Sequence, residues 1–242
     1  MPSSYPQPQK IIARFEDKVV LNEKFIQLKF ELQEPHSMPF LAGQYVSIKV
    51  SEKGERRSYS ISSSPGITHG FELLVDLSPD GVGSHFLKNL QFGQTIDAMG
   101  PMGRFVLEPE ALEQEPTIAL VATGSGLAPL YSMLQDLLHV RQEKRPIILY
   151  WGMRYDHELF WLDDLYEMDK LYESFSFHPV ISRPGESWTL CTGRITDCLT
   201  NHGILNPAGY YICGNKPMLD DVTNMLQQAG VPAERVHFAK FF

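Results

Sequence analysis

The sequence predicts a two-domain fold: an antiparallel β-barrel of short strands, followed by a doubly wound α/β domain with a parallel sheet. Three observations carry this. Up to Leu107, short runs alternate apolar and polar residues and are separated by turn signals. From Glu108 to Pro116 the chain turns acidic, carries two prolines, and the alternation stops. From Thr117 onward, short continuous apolar runs take turns with segments of helical spacing, the pattern of βαβ units. The domains expected from these shifts are residues 1–110 and 115–242.

The first nine residues, rich in Pro, Ser and Gln, read as an extended arm. Lys10 to Val20 alternates imperfectly and Phe25-Ile26-Gln27-Leu28-Lys29-Phe30 cleanly, so two antiparallel strands with a turn near Asn22-Glu23 are expected. Pro35 to Pro39 is a loop, and Tyr45-Val46-Ser47-Ile48-Lys49-Val50 is the next strand. The stretch Arg56 to Pro65 then reads as extended, with Arg57, Tyr59 and Ile61 on one face and Ser58, Ser60 and Ser62 on the other. A guanidinium suits a phosphate, a ring suits a planar ligand, and a hydroxyl suits a polar ring edge. An exposed, Ser-rich edge strand accounts for the same residues without a ligand. After the alternating run Phe71 to Leu77, the segment Ser78 to Leu90 reads as a loop entering a short helix. Gly81 and Gly83 permit close backbone approach, and Ser84 is the expected N-cap of a helix whose N-terminus favours an anion. A Gly-rich turn before an ordinary capped helix is the alternative. Phe92 to Leu107 holds a further strand and a glycine-dependent turn.

In the second part, Thr117 to Ala122 is a buried parallel strand, and Thr123-Gly124-Ser125-Gly126-Leu127-Ala128-Pro129 is the turn after it. Leu130, Met133, Leu134, Leu137 and Leu138 share one face of a helix ending near Val140. Strands follow at 147–151, 175–181, 210–214 and 236–241, and helices at 159–170, 195–201 and 216–228. Small residues, free N–H groups and a helix start at the end of a strand make the Thr123 turn a phosphate site in physical terms, although a tight βα connection needs no ligand. Arg154 and Arg183 follow strands and Arg194 lies in Thr192-Gly193-Arg194; all three are expected at the carboxyl end of the sheet, where ligands bind in open α/β folds, with solvated surface arginines the alternative.

Composition bounds the function. With 242 residues and 43% hydrophobic content, two modest domains with real cores are affordable. A net charge of −8 argues against general nucleic-acid binding. Cys191, Cys198 and Cys213 are read as scattered, forming neither a disulfide framework nor a four-cysteine cluster site, and no metal is expected. A cytoplasmic setting without membrane attachment fits the cysteine usage, the absence of a signal-peptide pattern and the absence of a long apolar run.

Arg57-Ser58-Tyr59-Ser60 resembles the Arg-x-Tyr-Ser flavin motif of the ferredoxin–NADP reductase family. Gly81-Val82-Gly83-Ser84 is similar to that family's pyrophosphate loop, and Gly100-Pro101-Met102-Gly103-Arg104-Phe105 to its barrel-closing turn. Thr123 to Pro129 resembles the Gly-Thr-Gly-x-Ala-Pro nucleotide turn, with Ser125 for the usual Thr, and Cys213-Gly214-Asn215-Lys216-Pro217-Met218 resembles the Cys-Gly-x-x-x-Met motif. The motifs occur in family order over roughly residues 10 to 242. The resemblance implies that Arg57, Ser58, Tyr59, Ser60, Gly83 and Ser84 hold FAD, with Phe242 or Phe241 a candidate to stack on it. It implies that Thr123, Gly124, Ser125, Gly126, Pro129, Cys213, Gly214 and Met218 meet the pyridine nucleotide, with Ser60 and Cys213 beside the reacting rings. Ser182 and Arg183 resemble the pair that holds a 2′-phosphate and, with Arg154 and Arg194, imply NADPH rather than NADH. The family's acidic residue in the last strand is replaced by Ala239, which puts any carboxylate proton relay in doubt. The implied activity is hydride transfer from NADPH to flavin N5, with electrons passed singly to a ferredoxin or flavodoxin by a monomeric enzyme. A reductase of free flavin, and a non-autonomous electron-transfer subunit of an oxygenase or dehydrogenase, are the alternatives. Lys53, Arg56, Lys88, Arg104 and Lys240 are the expected docking cations for an acidic carrier.

Overall fold

The computed structural model describes residues 5–239, so the expectations for Lys240, Phe241 and Phe242 lie outside the described residues. The chain divides into two units: one runs to Leu107 and includes Tyr131–Arg141, and the other comprises Glu108–Leu130 and the chain from Gln142 on.

The first unit is a six-stranded antiparallel sheet in the order β4-β3-β6-β1-β2-β5, with β1 Gln9–Val20, β2 Phe25–Glu34, β3 Tyr45–Lys49, β4 Arg56–Ser60, β5 Gly70–Asp76 and β6 Thr95–Met102. The expected turn at Asn22 is present: its side-chain oxygen accepts from the N–H groups of Lys24 and Phe25 at 2.9 and 3.0 Å. An isolated bridge between Ile61 and Leu73, with Ser62 N–H donating to Glu72 O at 2.9 Å, brings the two edges together into a nearly closed barrel. Period-two alternation sends Ile26, Leu28, Phe30 and Leu32 inward, where Phe30 packs on Phe15 and Phe71 with ring centroids 5.8 and 5.2 Å away. Burying such side chains contributes about 1.5–3 kcal/mol each before entropy is counted. The helix α1, Val82–Lys88, follows β5 as expected, but it starts earlier than the sequence suggests. Gly81 is the N-cap, and Ser84 sits three residues into the helix, its Oγ accepting from Gly81 N–H and donating to Gly81 O, both at 2.9 Å. Residues 108–116, where the domain boundary is expected, contain one short helix, α2, Pro109–Leu112, started by proline at its first position.

The second unit is an all-parallel sheet in the order β10-β9-β8-β7-β11-β12. Its strands are β7 Ile118–Thr123, β8 Ile147–Met153, β9 Phe175–Ile181, β10 Cys191–Thr192, β11 Gly209–Cys213 and β12 Val236–Ala239. The helices are α4 Leu162–Leu171, α5 Ile195–His202, α6 Lys216–Gln228 and the start of α3 Leu127–Gln135, whose residues from Tyr131 on are counted with the first unit. The continuous apolar run of β7 is buried throughout as far as Ala122, as a sheet covered on both faces requires. α3 continues into a wider π turn over Asp136–Val140, and Leu130, Met133, Leu134, Leu137 and Leu138 are all fully buried. α4 begins at Leu162 rather than Leu159 because Trp161 adopts φ 53°, a left-handed conformation that cannot continue a helix backwards. Among the described residues, no helix is long and apolar enough to cross a membrane.

Candidate functional site

In the first unit, β4 pairs with β3 and places Arg57 and Tyr59 together against α1. A Cβ on Gly83 would collide with the Tyr59 hydroxyl and lie 2.9 Å from Arg57 Cγ, so only glycine lets this backbone approach β4 so closely. Arg57 keeps an exposed guanidinium, with Nη1 donating to Arg56 O at 2.8 Å and Nη2 3.9 Å from Glu55. Burial, opposed by the charge of Arg57, holds the Tyr59 phenol above its ordinary pKa, so Tyr59 stays a neutral ring. Ser58 is exposed, while Ser60 is buried and its Oγ has no hydrogen-bond partner; the buried Ser62 Oγ has none either. The backbone just beyond is fixed by helix side chains: Ser132 Oγ donates to Ser63 O at 2.7 Å and Gln135 Nε2 to Ser62 O at 2.9 Å. Ser84 spends its hydroxyl on closing the Gly81 loop, leaving its backbone N–H as what it offers a ligand. This stretch thus presents a cation, a ring face and an unpaired hydroxyl within one strand, next to a helix start.

In the second unit, β7 and β11 are neighbours although three strands, β8, β9 and β10, lie between them in sequence order, so the strand order reverses there. Such a reversal opens a crevice at the carboxyl ends of the strands. Cys213 pairs with Ala122, which puts the turn after β7 and the turn after β11 side by side. A Cβ on Gly126 would strike the Cys213 carbonyl, and one on Gly214 would strike Thr123 Oγ1 and the methyl of Met218. Gly124 takes φ +56° and faces open space on its Cβ side, with its carbonyl accepting from Trp151 Nε1 at 3.2 Å. Thr123 Oγ1 is buried and without a partner. Ser125 follows within the short helical turn Gly124–Gly126, and Pro129 lies in the first turn of α3. Burial pushes the Cys213 thiol far up, so it is neutral and unreactive as an acid or nucleophile. On its other side Cys213 pairs with Ala239.

Arg154, Ser182 and Arg183 are exposed just beyond β8 and β9, with Arg183 N–H donating to Arg154 O at 2.8 Å. Arg183 Nη1 also reaches Tyr155 Oη at 3.4 Å. Arg194 is the N-cap of α5 and pairs with Asp221 at 3.2 Å, so part of its charge is already met. The structure therefore gathers Thr123 to Gly126 with Cys213, Gly214 and Met218, and separately gathers Arg154, Ser182 and Arg183.

Three features went unread in the sequence. Cys191 and Cys198, scattered in sequence, have their sulfurs 2.9 Å apart, with His202 beside them. Glu115 is buried and accepts from Tyr211 Oη at 3.0 Å and meets His237 Nε2 at 2.7 Å. Arg56, expected as a docking cation, is held by Asp97 at 2.9 Å and donates to Ser47 O at 2.7 Å. The signal for the first was the spacing Cys-x6-Cys-x3-His; the other two join residues far apart in sequence and left none.

Family comparison bears on these sites. Residues 13–107 match the oxidoreductase FAD-binding domain, and residues 120–224 the oxidoreductase NAD-binding domain. The chain is 30% identical over 225 residues to ferredoxin–NADP reductase B of Sorangium cellulosum, covering 89% of this chain and 91% of that protein. The chain belongs to the ferredoxin–NADP reductase family. A solved ferredoxin–NADP(+) reductase from Neisseria gonorrhoeae, with bound FAD and NADP, superposes at a TM-score of 0.83 with 26% identity, covering 96% of this chain and 99% of that one. The chain is also 29% identical over 212 residues to the anthranilate 1,2-dioxygenase electron transfer component of Acinetobacter baylyi, covering 86% of this chain but 60% of that protein. It thus spans under two thirds of the length of several curated relatives. Family membership gives the chain an FAD-binding domain and a pyridine-nucleotide-binding domain. The residues of the two motifs fit FAD and a pyridine nucleotide, since Ser60 Oγ and Thr123 Oγ1 are buried donors without partners in the flavin and nucleotide motifs respectively.

Proposed function

We propose that the chain passes electrons between NADPH and a one-electron protein carrier of the ferredoxin or flavodoxin kind, using FAD bound by the first unit. The observation that carries the reading is that two of the three unpartnered buried hydroxyls among the described residues, Ser60 Oγ and Thr123 Oγ1, fall one in the flavin motif and one in the nucleotide motif, Ser62 Oγ being the third. An unsatisfied buried polar group costs about 1–3 kcal/mol. Ligands that supply the missing bonds account for both at once.

Bound FAD supplies the exchange between a two-electron nucleotide and one-electron carriers. The chain's own residues bind and orient. Arg57 offers its guanidinium to a flavin phosphate, Tyr59 its ring face, and Ser60 its hydroxyl to the polar edge of the flavin ring; Ser58 lies between them on the exposed face. Gly83 and the N–H of Ser84 admit a phosphate close to the backbone. Thr123, Gly124, Ser125 and Gly126, ahead of Pro129, take the nucleotide pyrophosphate, while Cys213, Gly214 and Met218 shape the nicotinamide side. Cys213 acts there as a small neutral wall, not as a proton donor. Ser182 and Arg183, with Arg154 and Arg194 nearby, hold the 2′-phosphate that distinguishes NADPH. A second reading, the reductase part of an oxygenase system, is favoured by the similarity to the longer dioxygenase electron transfer component.

Purified protein tested with NADPH and NADH, first with an artificial acceptor and then with carriers from its own genome neighbourhood, checks the reading. NADPH preference and turnover with a protein carrier are expected. Turnover only with free flavin, from a chain that does not retain FAD, would replace it with a flavin reductase.

A further inference from the structure

Outside the cofactor sites, two thiols and an imidazole converge at the edge of the second unit. Cys191 opens β10, the edge strand paired to β9 through Val180. Cys198 and His202 lie four residues apart on α5, so both side chains leave the helix on the same side. Cys198 Sγ lies 2.9 Å from Cys191 Sγ, His202 Nε2 lies 3.3 Å from Cys191 Sγ, and all three atoms fall within 4.8 Å of one another. A tetrahedral zinc ion, with Zn–S about 2.3 Å and Zn–N about 2.0–2.1 Å, sets its ligand atoms about 3.5–3.8 Å apart. The sulfur–nitrogen separation already approaches that spacing, and the two sulfurs need part by less than about 1 Å.

The surroundings suit an ion. Cys198 is fully buried, Cys191 partly, and His202 is exposed, so the group opens to solvent on the imidazole side and a water can complete the coordination. The ring of His202 is set by packing, 4.0 Å from the His178 ring and edge-on to Tyr150 at 6.1 Å.

We propose that Cys191, Cys198 and His202 form a binding site for a thiophilic divalent metal ion, with zinc the ion whose preferences match two thiolates and one imidazole. On binding, two S–H bonds give way to two metal–sulfur bonds, both protons pass to solvent, and nothing is oxidised or reduced. The ion ties the two-residue edge strand to α5 across Gly193 and Arg194.

The test uses the full chain, reduced and then freed of reductant, titrated with cobalt(II) as a spectroscopic probe. One cobalt per chain is expected, with the visible d–d bands of a tetrahedral thiolate site, displaced by equimolar zinc. Cys191→Ser and His202→Ala should each lose the bands, whereas Cys213→Ser should keep them. His202 is exposed, so its variant should fold, as retained FAD content and unfolding temperature would verify. Zinc should also shield Cys191 from alkylation, and a chelator should remove the shielding. Weak octahedral spectra, or bands unchanged in Cys191→Ser and His202→Ala, would overturn the site. So would a chain whose two thiols titrate only after reduction and stay unshielded by zinc, which marks a disulfide pair instead.

Discussion

Replacing Arg57 by alanine removes the charge that the flavin phosphate is proposed to meet. FAD affinity should fall about ten- to hundredfold, the value of a charge-assisted hydrogen bond, as measured by equilibrium titration of the apoprotein. Ser60→Ala should behave differently. Its hydroxyl bonds to nothing within the protein, so the apoprotein should unfold at the same temperature or slightly higher, while turnover of the FAD form falls. A drop in apoprotein stability would show that the hydroxyl has a structural partner. Gly209 illustrates a residue with a purely structural task. A Cβ there would press into the Glu115 carboxylate, which holds Tyr211 and His237, so Gly209→Ala should cost about 1–3 kcal/mol in denaturant unfolding. Motif residues such as Arg57 and Thr123 were legible because type and order carry the information. Glu115 was not, since its partners Tyr211 and His237 come from strands that only the fold brings near. Ser84 was misplaced by three positions because a serine before a helix reads as a cap, while the turn geometry gave that role to Gly81.

At the scale of elements, long periodic segments were readable and short or irregular ones were not. α6 matches its expected span because its amphipathic pattern is complete and Asn215 caps it, accepting from Met218 N–H at 3.0 Å. β10 has two residues and exists only by pairing with β9, which no local pattern announces. The connection into β8 carries a pH-dependent tie. Arg145 bonds to Glu143 at 2.5 Å and donates to Glu115 O at 2.9 Å and to Leu112 O, linking α2 to the start of the strand. The hydrogen bond from Arg145 lowers the Glu143 pKa from 4.5 to about 2. A carboxylate whose pKa is depressed on folding contributes stability above its unfolded value, and that contribution is lost as pH falls through its folded value. Stability should therefore decline between pH 4.5 and about 2, and Glu143→Gln should flatten this part of the unfolding-temperature profile. An unchanged acid limb in the variant would assign the decline to other groups.

For the whole molecule, a net charge of −8 opposes encounter with an acidic carrier unless local cations offset it. Arg56 is already neutralised by Asp97, so Lys53 and Lys88 are the better residues to reverse. The Lys53→Glu, Lys88→Glu double variant should slow reduction of a protein carrier and spare a small artificial acceptor. The effect should shrink with added salt, because exposed charges are screened over about 8–10 Å at physiological ionic strength. Equal slowing of both acceptors would remove this surface from docking. The two-domain architecture was legible because each half repeats one rhythm, alternation in the barrel and βαβ in the parallel sheet; the assignment of Tyr131–Arg141 to the first unit was not, since a buried apolar helix face does not say which strands it covers. The most direct measurement is anaerobic titration of the purified chain with NADPH and, separately, NADH, following the flavin absorbance. The account predicts about one tightly held FAD per chain, bleached by one equivalent of NADPH and faster than by NADH, with the difference lost in Arg183→Ala. A chain that takes up no FAD at micromolar concentration, or whose FAD neither nucleotide reduces, would contradict it.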